Sequence, residues 1–371
     1  MRVLFVLPRM VAGGVERATL NLIGGLQRDG VDCRLALGRC QGELLAEAQQ
    51  LTTVVEIARR SKWLFTLGLL RVLRRYRPSH IVTAFADVSL MTLTARKLAG
   101  CRAAVIVGVH GTHREVAASG GGRVRFQYWL HGRIAGPVYR HSAAVVAVSR
   151  GVAEDVRERY PAMRDRVTVI ANPVLTAAMR ERLARLQRPM APTAPYRLVA
   201  LGRLAHEKGF DVLLHAMPAV LARFEAELHI HGEGAERARL QAQIAALGLD
   251  RHVRLMGATL DPLAALAGAD LFVFPSRHEG FGVALVEALA CACQIVASDC
   301  PHGPAEILEH GALAQLVPPD DPGALAAAVI RSLAGEVRFE PARLRARAGE
   351  FTADSATERW LDLLKGLMPP K

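Results

Sequence analysis

No apolar run of about 18 residues occurs in this 371-residue chain, so the sequence predicts no membrane-spanning helix. Its six cysteines, at 33, 40, 101, 291, 293 and 300, contain no Cys-x-x-Cys pair. That argues against a metal or disulfide framework and points to a reducing, cytosolic compartment. Internal repeats and low-complexity tails are missing as well. The opening MRVLFVLP is too short for a signal-peptide core and reads as a first strand.

What is present is apolar material and a lopsided charge. Half of the residues are apolar, enough for two domains of ordinary size. Residues 1–190 hold 30 Lys+Arg against 13 Asp+Glu, or +17, and the remainder holds 17 against 22, or −5, which sum to the net +12. A basic first domain attracts phosphates on a lipid, a nucleic acid or a small anion. An arginine-rich composition with no partner would look the same.

The most informative stretch is 272–293, FVFPSRHEGFGVALVEALACAC. An apolar run reads as the end of a buried strand, and Pro275 to His278 as a polar turn. Gly280 and Gly282 flank Phe281, and a helical pattern begins at Val283. Glycines let backbone approach a ligand, and a helix start offers free N–H groups to an anion. Two carboxylates bracket the turn: Glu279 at its mouth, placed to accept bonds from hydroxyls, and Glu287 one turn into the helix, within reach of a ribose diol.

Along the chain, 3–7 is a short strand followed by Gly13-Gly14 and a helical pattern. Further strands are predicted at 34–37, 53–57, 80–84, 104–109, 144–148 and 167–170, with helices at 43–50, 61–77 and 88–99. Such alternation argues for an α/β doubly wound sheet, whose ligands bind beyond the carboxyl ends of the strands. His110 falls at such an end, with His113 as a competitor for the same role. Residues 59–77 carry Trp63, Leu67 and Leu70 along one helical stripe that is expected to pack on the sheet. Residues 123–133 set Arg123, Arg125 and Arg133 around Phe126, Tyr128 and Trp129, a composition suited to an anionic bilayer or an acceptor-side flap. A proline-rich linker is predicted at 186–196. After it, Arg203 and Lys208 flank the turn behind strand 198–201.

The segment from Glu279-Gly280-Phe281-Gly282 to Glu287, with the strand before it and the helix after, resembles the Glu-x7-Glu signature of retaining GT-B glycosyltransferases. The resemblance is to the family 4-like members of bacterial polysaccharide biosynthesis. It covers essentially the whole chain: motif by motif over about 197–335, and in Gly13-Gly14 and VAVSRGVAEDV in the first half. ANPV at 171–174 departs from the more common Asn-Gly turn but keeps Asn172. The resemblance implies two Rossmann-like doubly wound domains facing a central cleft. The first would be an acceptor-side domain at 1–185. The linker at 186–196 would lead to a nucleotide-sugar domain at 197–350, and a helix at 351–371 would cross back to the first.

It further implies a hexose or N-acetylhexosamine moved from a UDP-sugar to a hydroxyl of a saccharide, often lipid-linked, in cell-surface polysaccharide or glycolipid synthesis. Arg203 and Lys208 would bind the diphosphate and stabilise the leaving group. Gly14 and residues Glu279, Gly280, Phe281, Gly282, Val283 and Glu287 would hold the donor, with His110 at the reacting sugar. Without an Asp-x-Asp pair, neither a metal nor a cofactor is expected. The expected place is cytoplasmic, peripheral on the inner face of the membrane, with His113, Arg123, Arg125, Phe126, Trp129 and Arg133 towards acceptor or anionic lipid. An epimerase or a non-catalytic sugar-nucleotide-binding subunit on the same fold stays open. Nucleic-acid binding is disfavoured, because the basic residues form no recognised module.

Overall fold

A computed structural model of the chain describes residues 1–57, 62–111, 122–185 and 194–368, and at 62–63 and 122–131 it describes the helical backbone alone. Its contacts divide it into two compact units, 1–173 with 353–371, and 174–352. The division differs from the sequence expectation. Helix Ala177–Arg185 lies in the second unit, and strand Tyr196–Leu201 begins inside the expected linker.

In the first unit seven strands alternate with helices: β1 (Arg2–Leu7), β2 (Asp32–Leu37), β3 (Thr53–Glu56), β4 (His80–Thr83), β5 (Ala104–Val109), β6 (Ala144–Ala147) and β7 (Val167–Val169). They pair in parallel in the order β3-β2-β1-β4-β5-β6-β7. Strands such as Val3 to Leu7 are apolar without alternation because helices cover both faces of a parallel sheet. The order reverses direction between β1 and β4. Loops leaving those neighbouring strands run to opposite sides, which opens a crevice at their carboxyl ends. The closing helix Ala353–Gly366 packs in this unit: Ala356, Trp360 and Leu364 share a core with Leu22, Ile23 and Leu26 of helix Gly14–Arg28.

Helix Lys62–Tyr76 corrects an expectation. Its packed stripe is Phe65, Leu69, Leu73 and Tyr76, and the Tyr76 hydroxyl donates to the Asp32 carbonyl at 2.7 Å. Leu67 is half exposed and Leu70 only partly covered, so the stripe through Leu67 and Leu70 is not the one that meets the sheet. The side chain of Trp63 lies outside the described residues.

The second unit repeats the plan with β8 (Tyr196–Leu201), β9 (Ala226–His231), β10 (Val253–Gly257), β11 (Leu271–Phe274), β12 (Gln294–Ser298) and β13 (Gln315–Val317). Their parallel order is β10-β9-β8-β11-β12-β13, so the reversal here lies between β8 and β11. Leu198, Ala200, Leu228, Ile230, Leu271 and Val273 fill the core beneath helices Phe210–Leu221 and Pro322–Leu333. Both units are Rossmann-like, and each carries its reversal beside residues singled out from sequence.

Candidate functional site

In the second unit the turns that leave β8 and β11 emerge side by side at the reversal. The β8 turn carries Arg203, Glu207 and Lys208, and the β11 turn carries Ser276, Arg277 and Glu279. The turns touch at Gly209, whose φ of 63° suits glycine. A Cβ there would lie 2.0 Å from the Pro275 carbonyl oxygen. Close backbone approach therefore brings the two motifs together although some 70 residues separate them.

The Lys208 ammonium donates to Glu279 Oε1, and the Ser276 hydroxyl donates to the same oxygen at 2.9 Å. Both partners of the ion pair are largely covered, with side chains 20% and 11% exposed. Lys208 also stands 5.9 Å from the centroid of the Phe274 ring. Arg203 is placed differently. Its side chain is 68% exposed and reaches Glu207 at 2.6 Å, so Lys208 is the covered cation and Arg203 the exposed one. Glu207 titrates below the usual carboxylate range. Its burial opposes that shift, and bonds from the backbone and from Arg203 overcome it.

Beyond Glu279, Gly282 at φ 104° turns the chain into helix Val283–Ala290, and no side chain caps its first turn. Gly280 and Phe281 are buried within this turn. The Phe281 ring packs edge-on against Phe351 at 5.5 Å, so its ring anchors the turn and only its backbone is left for a ligand. Glu287 is 7% exposed and sits among the buried residues of the helix.

In the first unit His110 follows β5 and lines a cavity of about 40 Å³ with Thr83, Gly108, Asn172 and Trp360. Burial lowers the His110 imidazole to a pKa of about 4, and its Nδ1 has no hydrogen-bond partner among the described residues. It is therefore a neutral ring at physiological pH, able to exchange a hydrogen bond with a hydroxyl. Gly14 opens helix Gly14–Arg28, again without a side-chain cap. Asn172 is buried beside the cavity, and Ser149 caps helix Arg150–Arg159 by accepting from the Val152 amide at 3.2 Å.

His113 lies outside the described residues, as do the side chains of Arg123, Arg125, Phe126 and Trp129. The segment 123–133 belongs to helix Gly122–His141, on which Arg133 is exposed. Sequence reasoning missed Ser276, Glu207, Asp211 and Arg277. The Ser276-x-x-Glu279 spacing is a local signal that could have found the first. The others meet only through the fold. Among the described residues no cluster of three His, Cys, Asp or Glu side chains is placed to hold a metal.

Two family models match, one described as Glycosyltransferase Family 4 over residues 12–178 and one as Glycosyl transferases group 1 over 195–335. The lipopolysaccharide core biosynthesis glycosyltransferase LpsD of Rhizobium meliloti is 28% identical over 95% of this chain and 94% of its own length. An exopolysaccharide phosphotransferase of Streptomyces coelicolor is 33% identical over 49% of this chain but only 20% of its own length. Indeed, the chain spans less than two thirds of the first curated relatives it matches. Among solved structures, Anabaena Alr3699/HepE in complex with UDP-glucose superposes with a TM-score of 0.80 at 19% identity, covering 99% of this chain and 100% of that one.

Proposed function

The chain belongs to the GT-B glycosyltransferases, with a family 4 first half and a group 1 second half, and from that premise we propose that it transfers a hexose or N-acetylhexosamine from a UDP-sugar to a saccharide hydroxyl with retention of anomeric configuration. The observation that carries this reading is the Lys208–Glu279 pair at the reversal of the second sheet. A donor diphosphate entering there meets Lys208, the exposed Arg203 and the uncapped start of helix Val283–Ala290. It competes with Glu279 for Lys208, and the released carboxylate then faces the sugar hydroxyls. As the bond between C1 and the diphosphate breaks, negative charge grows on the leaving oxygen, and Lys208 and Arg203 neutralise it. Retention requires the acceptor hydroxyl to approach the face the diphosphate is leaving. Its oxygen bonds to C1, and its proton passes to the departing diphosphate. The neutral His110 ring would hold a hydroxyl of the sugar or acceptor by hydrogen bonding, without contributing charge.

UDP as the nucleotide is favoured by the family resemblance, and the Anabaena neighbour is a protein with UDP-glucose bound. The saccharide acceptor follows the relatives, LpsD among them, whose names place them in lipopolysaccharide or polysaccharide synthesis. We extend the reading to a lipid-linked acceptor at the inner face of the cytoplasmic membrane, reached by peripheral docking of the basic first half. No helix among the described residues is long and apolar enough to cross a bilayer.

A thermal-shift panel of UDP-, GDP- and ADP-sugars tests the donor. Stabilisation by UDP-sugars that is lost in Lys208→Met supports the reading, and an equal response to all three, or to none, overturns it. An isomerised sugar nucleotide formed from donor alone would favour an epimerase instead. Since the positive potential is assigned to side chains and backbone amides, turnover is expected to survive EDTA. Loss of turnover restored by Mg²⁺ or Mn²⁺ would contradict that assignment.

A further inference from the structure

Arg277 is 7% exposed, yet neither the strand-turn-helix motif nor the donor reading uses it. Its guanidinium grips Asp211 with two parallel bonds of 2.8 and 2.9 Å, a fork that only arginine can present to a carboxylate. The same group donates to the His206 carbonyl at 2.6 Å and to Asp320 at 2.5 Å. Its backbone N–H donates to the Glu207 carbonyl at 2.8 Å. One residue of the β11 turn thus holds the two carbonyls that immediately precede Lys208, the first turn of helix Phe210–Leu221, and the loop after β13. Glu279 lies two residues beyond it on the same turn.

We propose that Arg277 is a positioning residue for sugar transfer. It sets the register of Lys208 against Glu279 by pinning the β8 turn to the β11 turn, and touches neither donor nor acceptor. The inference rests on the reading of Lys208 as the cation that stabilises the departing diphosphate. Lysine at 277 keeps the charge but cannot make the fork and reach the His206 carbonyl together. The two turns can then slide, and a misplacement of about 1 Å at a reacting centre costs roughly 10²-fold in rate.

The test is a kinetic cycle of wild type, Arg277→Lys, Lys208→Met and the double variant. Turnover is read as UDP released to water from the UDP-sugar that most stabilises the protein, at a temperature where all four are folded. Arg277→Lys is expected to lower kcat by roughly 10- to 100-fold while KM for the donor changes less than about 3-fold. In the Lys208→Met background the same change is expected to cost less than about 3-fold, because the register it protects no longer matters. Asp211→Asn, which weakens the fork with little change in volume, is expected to show the same non-additive pattern and serves if Arg277→Lys folds poorly. Additive losses in the cycle, or a loss confined to thermal stability, would overturn the positioning role and leave the Lys208 reading intact. Undiminished turnover in Lys208→Met would remove that reading and this inference with it.

Discussion

Lys208 and Glu279 meet in one covered ion pair, yet their removal is expected to read differently. On the proposed reading Lys208→Met would delete the cation that stabilises the departing diphosphate, so kcat is expected to fall by roughly 10²-fold or more, with Arg203→Ala expected to act in the same direction. Glu279→Gln is expected to lower kcat as well as donor affinity, whereas Glu287→Gln chiefly weakens donor binding. Steady-state kinetics on the three variants check the division, and identical profiles for the two glutamates would end it. His110 makes a separate prediction through pH. Its imidazole titrates at about 4 when folded, against about 6.5 for an exposed histidine. Since the folded value is depressed, the unfolded chain binds the extra proton first as pH falls. The stabilisation is whole above pH 6.5, erodes between 6.5 and 4, and is gone below that. At pH 5 the loss relative to pH 7 is on the order of 1–2 kcal/mol, and His110→Asn should remove that part of the pH dependence. Urea midpoints at the two pH values, for wild type and variant, measure it.

The elements impose their own tests. Gly209→Ala must take a side chain at φ 63° and push it into the Pro275 carbonyl, so it is expected to destabilise by about 2 kcal/mol or more. Gly349→Ala, at φ −59° with nothing within 4 Å, should change stability by less than about 0.5 kcal/mol. Denaturant midpoints for the pair decide whether the crossing of turns is as tight as described. The same crossing explains what could be read in advance. Strand β5 and the start of helix Val283–Ala290 were legible to the residue, because apolar runs and glycine punctuation are local. Most other strands differed from their predicted limits by one or two residues. Arg203, Lys208 and Glu279 were legible as residue types at turns behind strands. That Lys208 rather than Arg203 pairs with Glu279 was not, because side-chain contacts across 71 residues leave no trace in spacing. Arg277 looked like one more polar turn residue for the same reason. The stripe on helix Lys62–Tyr76 was misjudged because apolar residues occupy more than one of its faces, and only packing selects Phe65, Leu69, Leu73 and Tyr76.

At the scale of the whole molecule, the positive charge lies in the first half of the chain, and one basic helix there also carries exposed leucines. Between Glu56 and Asp87 the sequence has seven Lys or Arg and no acidic residue. On helix Lys62–Tyr76, Leu64 and Leu67 are about half exposed at 49% and 50%, and Arg71, Arg74 and Arg75 continue the same face. The helix runs from the carboxyl edge of the sheet, so its leucines stand at the edge where β5 delivers His110 and its arginines lie further down. An anionic bilayer would suit that order: in the proposed docking the leucine side chains would enter the headgroup region, and each arginine near the surface would add about 1 kcal/mol. The proposed peripheral docking therefore predicts binding to phosphatidylserine-containing vesicles that weakens as salt rises, and little binding to neutral ones. Changing Arg71, Arg74 and Arg75 together to Ser should lower vesicle binding by more than about tenfold. Changing Leu64 and Leu67 to Ser should weaken it while keeping its salt dependence. Neither set lies at the donor turns, so turnover on a soluble saccharide acceptor should stay near wild type. Co-sedimentation at low and high salt measures all of this, and a protein that fails to bind anionic vesicles at low salt would leave the basic half without a membrane role.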